Sequence, residues 1–492
     1  MFARSPLLFA VAFVGVACSG ETTQPPVIAT PSAPAAPAAP TTPTTPATPS
    51  TPASTATPSV SKVIPTQVGT VGLAFDCEAI AGAFSDPKGG GLTYRVTFTP
   101  SANGLVASDS RILGAPATPG VTTARIVAVD VKGDTAVQNV AIVTFAAGLG
   151  APSLPAALFA YSDASSPLPG YFRGQGGPGG SAIATDNTPA DNPTTDAGAT
   201  LGRVLFYDTR LSANDKVSCA SCHQQQFGFG DTARFSRGFN GGLTARHAMG
   251  LSNARFYQRG HFFWDERAAT LEAQVVQPIQ NSVEMGMTLD NLVLKVGATS
   301  YYPELLRGAF GTTDVTSDRI ARALAQYVRS LVSYQSKFDG AFAGGANPPN
   351  FGVLTAQEQQ GQQLFTGPAG CAACHATNAV VSDDIHNNGL DAAPSDTGAG
   401  GARFKAPSLR NIAVRAPYMH DGRFATLLDV VDFYDHGVQA SATLDNRLRT
   451  PNGGVKRLNL SPAQRAAIVA YLQTLTDPTF LSAAKFSNPF VK

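Results

Sequence analysis

The chain of 492 residues contains only six cysteines, and four of them fall in two copies of one pattern, SCASCH at 218–223 and GCAACH at 370–375. In each copy two thiols are three residues apart and a histidine follows at once: Cys219, Cys222 and His223, then Cys371, Cys374 and His375. A three-residue offset on a helical turn brings both sulfurs to one side. The next residue's imidazole lies beside them. A zinc site would need four ligands at complementary spacing, and a disulfide or redox pair gains nothing from the adjoining histidine. The pattern fits c-type haem attachment, with two thioethers to the vinyl edge and an imidazole on the iron. Similar runs precede the two copies, LGRVLFYDTRLS from Leu201 and GQQLFTGPAG from Gly361, which indicates a duplicated haem-binding unit.

The residues before this unit have a different character. MFARSPLLFAVAFVGVACSG places Arg4 before an apolar run from Leu7 to Ala17 that is too short to span a bilayer, as a secretory signal would. Gly15 and Ala17 before Cys18 fit a lipoprotein cleavage site, with Gly15 where leucine is usual, so Cys18 is the expected lipidation site. A plain signal peptide with an incidental cysteine is the alternative. Residues 18–62 are mostly Pro, Thr and Ala with almost no charge, and form a tether of about 3 Å per residue, reaching on the order of 100 Å. An O-glycosylated stalk would have the same composition. From 63 to 148 short alternating apolar runs, LTYRVTF and ARIVAVDV, are separated by Gly, Pro and Asp clusters. They predict a small β-sandwich of cadherin or immunoglobulin type. Asp86, Asp130 and Asp134 are calcium candidates there, although turn aspartates commonly only form turns. Cys77 reads as a buried small hydrophobe. With 35 basic against 34 acidic residues and 14% charged overall, no nucleic-acid partner is implied.

Between the haem motifs lies RGHFFWDERAATLEAQVVQPIQNSVEMGM (259–287), and after them FKAPSLRNIAVRAPYMHDGRFATLLDVVDFYDHG (404–437). With both haem motifs, these stretches resemble the bacterial di-haem cytochrome c peroxidase family, including its relative, the di-haem enzyme of methylamine utilisation. The resemblance runs from about Leu201 to Leu475. In that family a glutamate ten residues after a glutamine, itself ten after a tryptophan, moves the peroxide proton. Trp264, Gln274 and Glu284 stand at those intervals. The resemblance therefore implies Glu284 as proton shuttle, Gln274 as the residue orienting peroxide or water, and Trp264, the only tryptophan, as electron relay between the haems. Taken singly, a tryptophan would read as core and Glu284 as a loop residue. Asp265, Arg267, Met285 and Met287 belong to the same stretch and are expected to be structural.

Axial ligation departs from the family pattern. Many members carry a second iron-binding histidine sixteen residues after the first haem histidine, where this chain has Phe239, so the His223 iron is expected to be open. His247 is the substitute ligand to weigh. For the His375 iron, the family's sixth ligand lies fourteen residues past the histidine of its Y-F-H-D-G motif. From His420 that position is Tyr434, as in the methylamine-utilisation enzyme. Phenolate stabilises oxidised iron better than a thioether does. The competing reading has Tyr434 packed on a helix beginning near Thr426, with His436 or nothing on the iron. His420 is expected near a haem propionate, and His261 and His386 in exposed loops. The family also implies a calcium ion between the haem domains. Backbone carbonyls of Arg415 and Pro417 are its candidates here, with His247 in place of the side-chain donor.

TSDRIARALAQYVRSLVSY (316–334) has helical spacing at Ile320, Leu324, Tyr327 and Leu331. Thr355 with Glu358 forms a capping box, and Ser461 caps a helix with Pro462 first. The expected protein is multidomain: signal peptide 1–17, tether 18–62, all-β sandwich 63–148, and a mainly α region of two cytochrome c-like domains. Of these, 149–350 is the N-terminal haem domain with the peroxidatic site and 351–492 the C-terminal haem domain. Two covalent haem c groups, with calcium as a further candidate, imply an exported, periplasmic or surface peroxidase held to the outer membrane by a lipid anchor. It would reduce hydrogen peroxide with electrons from a small donor such as cytochrome c. The rivals are a di-haem oxidase of a protein or organic substrate, which stores two oxidising equivalents on its haems, and a non-catalytic electron carrier. Oligomeric state stays open.

Overall fold

The structure, a computed structural model, describes residues 57–490 apart from 78–79, 102, 175–180 and 382–383. The expected signal peptide, Cys18 and the tether as far as residue 56 lie outside the described residues. Among those described, no helix is long and apolar enough to cross a membrane. The chain divides into two compact units between Ala147 and Gly148.

Among the described residues the first unit holds two larger sheets and one two-stranded pair. One runs in the order Gln67–Thr70, Thr135–Phe145, Gly120–Val129, Thr93–Thr99, with the first pair parallel and the others antiparallel. The other is antiparallel, in the order Phe75–Cys77, Arg111–Gly114, Leu105–Ser108. Period-two alternation turns Ala124, Ile126, Ala128, Val140 and Ile142 inward, where they share a core with Phe75, Cys77, Leu105 and Ile112. Pairing begins earlier than the expected boundary at residue 63, because Ser59–Val60 pairs with Phe84–Ser85. The calcium expectation for this module meets a side chain that already supplies the cation. Lys88 Nζ lies 3.0 Å from Asp130 and 2.6 Å from Asp134, while Asp86 accepts the backbone N–H groups of Lys88 and Gly90.

The second unit repeats one helix crossing. Helix Asp196–Tyr207 packs on Ser317–Ser330, and helix Ala356–Thr366 packs on Pro462–Gln473. At each crossing a glycine meets backbone. A Cβ on Gly202 would lie 2.0 Å from the Ala323 carbonyl oxygen and 2.7 Å from Tyr327 Cβ; one on Gly361 would lie 1.9 Å from the Ala467 oxygen and 2.8 Å from Tyr471 Cβ. The duplicated G-x-x-L-F run is thus one half of a contact whose other half is A-x-x-x-Y, on ALAQY and AIVAY. Thr355 with Glu358 and Ser461 with Gln464 form capping boxes. The helix expected over 316–334 stops at Ser330. Beyond it the Asp477 carboxylate takes the N–H groups of Tyr334 and Gln335, and Asn253 takes that of Ser333.

Two cores form around these crossings, and the chain passes between them more than once. Phe480 and Phe486, from the C-terminal end, complete the core of the first pair. Leu168, Tyr171, Phe172, Phe338 and Phe342, all before residue 350, belong to the core of the second. The tail is tied down by Tyr207 and Tyr327 hydroxyls, both donating to the Phe486 carbonyl (2.7 and 3.0 Å), and by Arg203 donating to that of Ser487 (2.7 Å).

Gly202→Ala and Gly361→Ala place a methyl group against a backbone carbonyl that cannot move aside cheaply. Each is expected to lower stability by about 1–3 kcal/mol, measured as the denaturant midpoint of the purified protein. An unchanged midpoint in both would mean that the helices do not depend on this approach.

Candidate active site

Both C-x-x-C-H stretches fold as tight turns. Cys219–Cys222 is a single helical turn capped by Ser218, and Cys371–Ala373 is a 3-10 turn entered through left-handed Gly370 (φ 72°). In each, the backbone N–H of the histidine donates to the carbonyl of the first cysteine, at 2.9 Å for His223 and 3.0 Å for His375. This closure folds each histidine back over its first cysteine. Burial pushes the Cys219 and Cys371 thiols up to about 12 and lowers both imidazoles, His375 to about 4, so these histidines are neutral. His223 Nδ1 donates to the Phe229 carbonyl (2.9 Å), which leaves Nε2 as the ring atom a metal would take. His375 Nδ1 is buried without a hydrogen-bond partner.

Cys222 and His223 open on a cavity of about 660 Å³, and Cys371, Cys374 and His375 on one of about 250 Å³. Two thiols, a half-buried imidazole and a largely apolar cavity beside each turn fit a covalently held haem.

Glu284 and Gln274 line the His223 cavity. Gln274 projects from the short helix Leu271–Val275. Glu284 follows an Asx turn in which Asn281 Oδ1 accepts the N–H groups of Val283 (2.8 Å) and Glu284 (3.1 Å). Burial raises the Glu284 pKa, and the Arg267 charge only partly offsets it. The neighbouring Met285 and Met287 are core residues. Phe239 is packed under this loop: its N–H donates to the Glu284 carbonyl (3.0 Å), and its ring leaves room at residue 286 only for glycine, where a Cβ would come within 2.3 Å. Phe239 therefore braces the segment that carries the carboxylate. His247 Nδ1 is committed to the Ala233 carbonyl at 3.0 Å.

Tyr434 lines the His375 cavity. Helix Leu427–Asp432, capped by Thr426, runs into a π turn over Phe433–Gly437, and this bulge carries Tyr434. Its phenol is pushed up to about 12 by burial, against the Asn388 amide that donates to it at 3.3 Å. His436, the competing ligand, is 64% exposed at its side chain and lies outside that cavity. His386 differs from the exposed loop position expected. It is held 2.6 Å from Asp445 and lines the cavity beside Cys374, with the Arg447 guanidinium 3.4 Å from both that sulfur and the imidazole. Asn388, Arg447 and Met419 also line this cavity. Sequence reasoning missed these three. The only available signal was the position of Met419 inside PYMHDG.

A thin wall separates the cavities. Phe262, Phe263 and Asp265 face the larger one and Trp264 the smaller, while residues 247–250, Lys405 and Pro407 line both. The Trp264 indole N–H donates to the His247 carbonyl (2.8 Å), and the Lys405 N–H to the Trp264 carbonyl (2.8 Å). His420 stacks on Phe404 at 3.7 Å and meets the Trp264 ring edge-on at 6.3 Å. Asp265 is ion-paired with Arg246 (2.7 Å) and Arg267 (2.8 Å). His261 is half-buried, with its side chain 44% exposed.

The calcium expectation at Arg415 and Pro417 does not fit this wall. A hard dication needs six or more oxygen donors. The only imidazole nitrogen that His247 could turn toward the ion is a poor donor for it, its backbone carbonyl is taken by Trp264, and Arg415 brings a buried positive charge of its own. Among the described residues no group of three or more His, Cys, Asp or Glu side chains could hold a metal ion.

Over this unit the chain is similar to known proteins. The family description "Di-haem cytochrome c peroxidase" matches residues 196–347, and "Cytochrome c" matches 358–476. The chain is 36% identical over 297 residues to the methylamine utilization protein MauG of Methylorubrum extorquens AM1, covering 58% of this chain and 80% of that protein. It is 34% identical over 253 residues to the cytochrome c551 peroxidase of Nitrosomonas europaea, covering 48% and 71%. The crystal structure of a MauG-like protein associated with microbial copper homeostasis superposes with a TM-score of 0.57 at 30% identity, over 66% of this chain and 99% of that one. A single-residue variant of the diheme peroxidase BthA of Burkholderia thailandensis, at 23% identity and TM-score 0.50 over 60% and 90%, shares the fold.

The raised Glu284 pKa has a consequence for stability. The folded protein binds this proton more tightly than the unfolded chain, so ionisation of Glu284 costs stability, and the cost develops as pH rises from the unfolded value through the folded one. Glu284→Gln cannot ionise. It is expected to melt above the wild type at neutral pH and to converge with it in acid. Superimposed melts at neutral pH would show a well-solvated carboxylate.

Proposed function

Because the chain belongs to the di-haem cytochrome c peroxidase family, which includes MauG-like oxidoreductases, we propose that it reduces hydrogen peroxide to water at the His223 haem, with electrons entering through the His375 haem. The observation that carries this reading is the convergence of Glu284, Gln274 and His223 on one cavity. The two covalent haems, when bound, supply the iron that cleaves the peroxide bond and the reducing electrons that follow. The protein's part is proton handling, orientation and electron routing.

Reduction of one peroxide consumes two electrons and two protons and releases two waters. Heterolysis of the O–O bond requires a proton to move from the near oxygen to the far one, so that water rather than hydroxide leaves. Burial raises the pKa of half-buried Glu284, which favours its holding and passing on a proton, and Glu284 accepts no hydrogen bond from a described side chain that would fix it in the ionised form. Gln274, with a donor and an acceptor on one amide, can hold the far oxygen in register. Phe239 cannot bind iron, which keeps that face open to peroxide. Trp264 lies in the wall between the cavities and is the proposed electron relay. Tyr434 would supply its phenol oxygen to the iron held by His375, with Asn388 donating to that oxygen.

The proposed division of labour follows the expected boundaries: a sandwich module at 63–148, the peroxidatic half at 149–350 and the electron-receiving half at 351–492. Export, lipidation at Cys18, attachment to the outer membrane and a small donor such as cytochrome c complete the reading, supported by the leader sequence and by the names of the relatives.

A second reading, oxidation of a protein or organic substrate as in MauG-like enzymes, is favoured by Tyr434 in the His375 cavity. Adding peroxide without donor separates the two. A long-lived optical change at both haems supports the oxidase, and rapid return to the resting spectrum supports the peroxidase.

In protein carrying two haems by mass, Glu284→Gln is expected to lower peroxide turnover with reduced cytochrome c by about 10²–10⁴-fold. Full turnover in that variant would remove Glu284 from the proton path. Tyr434→Phe should remove the phenolate signature from the resting ferric optical and spin-resonance spectra, and spectra identical to wild type would exclude ligation by Tyr434.

A further inference from the structure

Arg415 is an unusual residue in the wall between the cavities. It is 5% exposed, and burial lowers even its guanidinium, to about 10. One terminal nitrogen donates to the Ser408 carbonyl, and Nε is buried without an acceptor. Among the described residues no carboxylate comes within ion-pair distance of it, whereas the other deeply buried arginine of this region, Arg410, is paired with Asp339 at 2.6 Å. A buried cation without a counter-ion is strongly unfavourable and persists only where the fold has a use for it.

The fold keeps a slot for this side chain. A Cβ on Gly250 would lie 1.9 Å from Arg415 Nη1 and 2.7 Å from its Cδ, and one on left-handed Gly228 (φ 61°) would lie 3.1 Å from Cδ. Both glycines come from the segment that follows the first C-x-x-C-H turn, so the first half accommodates an arginine carried by the second. The slot opens on both sites: Arg415 lines the His375 cavity, and its contacts Gly250 and Ser408 line the His223 cavity.

We propose that the Arg415 guanidinium is the resident cation between the two haem sites, a fixed positive charge that faces the haem carboxylates and makes a calcium ion there unnecessary. The inference rests on the di-haem reading. A guanidinium presents five N–H donors in a rigid plane and stays charged, so it can hold a carboxylate without any exchangeable metal. It also disfavours a dication at the same place by repulsion. A fixed positive charge beside a haem favours the reduced iron, so its loss lowers the midpoint potential.

The test uses holoprotein whose two haems are verified by mass, which separates failure of the di-haem reading from failure of this one. After dialysis against EGTA, elemental analysis is expected to find calcium well below one ion per chain, and added calcium is expected to leave both midpoint potentials unmoved. One retained calcium per chain, or a shift on adding it, overturns the proposal. Arg415→Gln is expected to lower the midpoint of at least one haem and Arg415→Lys to stay near the wild type; unchanged potentials in fully loaded Arg415→Gln overturn it equally. Should that variant fail to take up haem, the calcium measurements on the wild type decide alone.

Discussion

Two helix crossings govern the catalytic unit, and each depends on the absence of one side chain. Gly202 against the Ala323 carbonyl and Gly361 against that of Ala467 bring backbones closer than any other residue allows. Each glycine-bearing helix precedes a C-x-x-C-H turn in the chain, across a 3-10 turn at Thr209–Leu211 in the first copy and a short loop in the second. The cores then form around these two fixed points, with aromatic residues such as Phe206, Phe229 and Tyr327 in one and Phe338, Phe365 and Tyr471 in the other. Placing the haem-binding turns at equivalent ends of two equivalent helix pairs is how a duplicated sequence becomes a two-centre protein.

Between the centres, a few side chains with opposing demands share a thin wall. Trp264 and His247 are joined by a hydrogen bond from indole to carbonyl, Lys405 is buried over the rings of Tyr257 and Phe262, and burial lowers its ammonium to about 7. Burial in such a wall screens its charges less than water would. The haem-binding turns themselves present neutral groups, so the electrostatic character of the interior comes from the wall and from the Glu284 loop.

Much of this was legible in the sequence wherever the signal was local. The capping box at Thr355, the cap at Ser461, the alternation of Gly120–Val129, and the paired haem motifs each state their geometry within a few residues. The intervals joining Trp264, Gln274 and Glu284 pointed to residues that line the two adjoining cavities. Where the deciding partner is distant, the sequence misled. The helix from Thr316 overshoots because Asp477, over a hundred residues away, captures the next N–H groups. His386 read as a loop residue because its partner Asp445 lies 59 residues on. Asp130 and Asp134 suggested a metal because nothing local places the Lys88 ammonium between them. The slot for Arg415 is made by glycines that, read along the chain, suggest only turns.

The C-terminal tail has a bearing on biogenesis. Phe480, Phe486 and the carbonyls of Phe486 and Ser487 finish the core that surrounds the first haem-binding half, so that half is incomplete until these residues are in place. Until they are, the core behind the first C-x-x-C-H turn lacks two of its aromatic side chains. A maturation enzyme that needs an unfolded C-x-x-C-H segment would find both substrates available at once, and folding would seal them together.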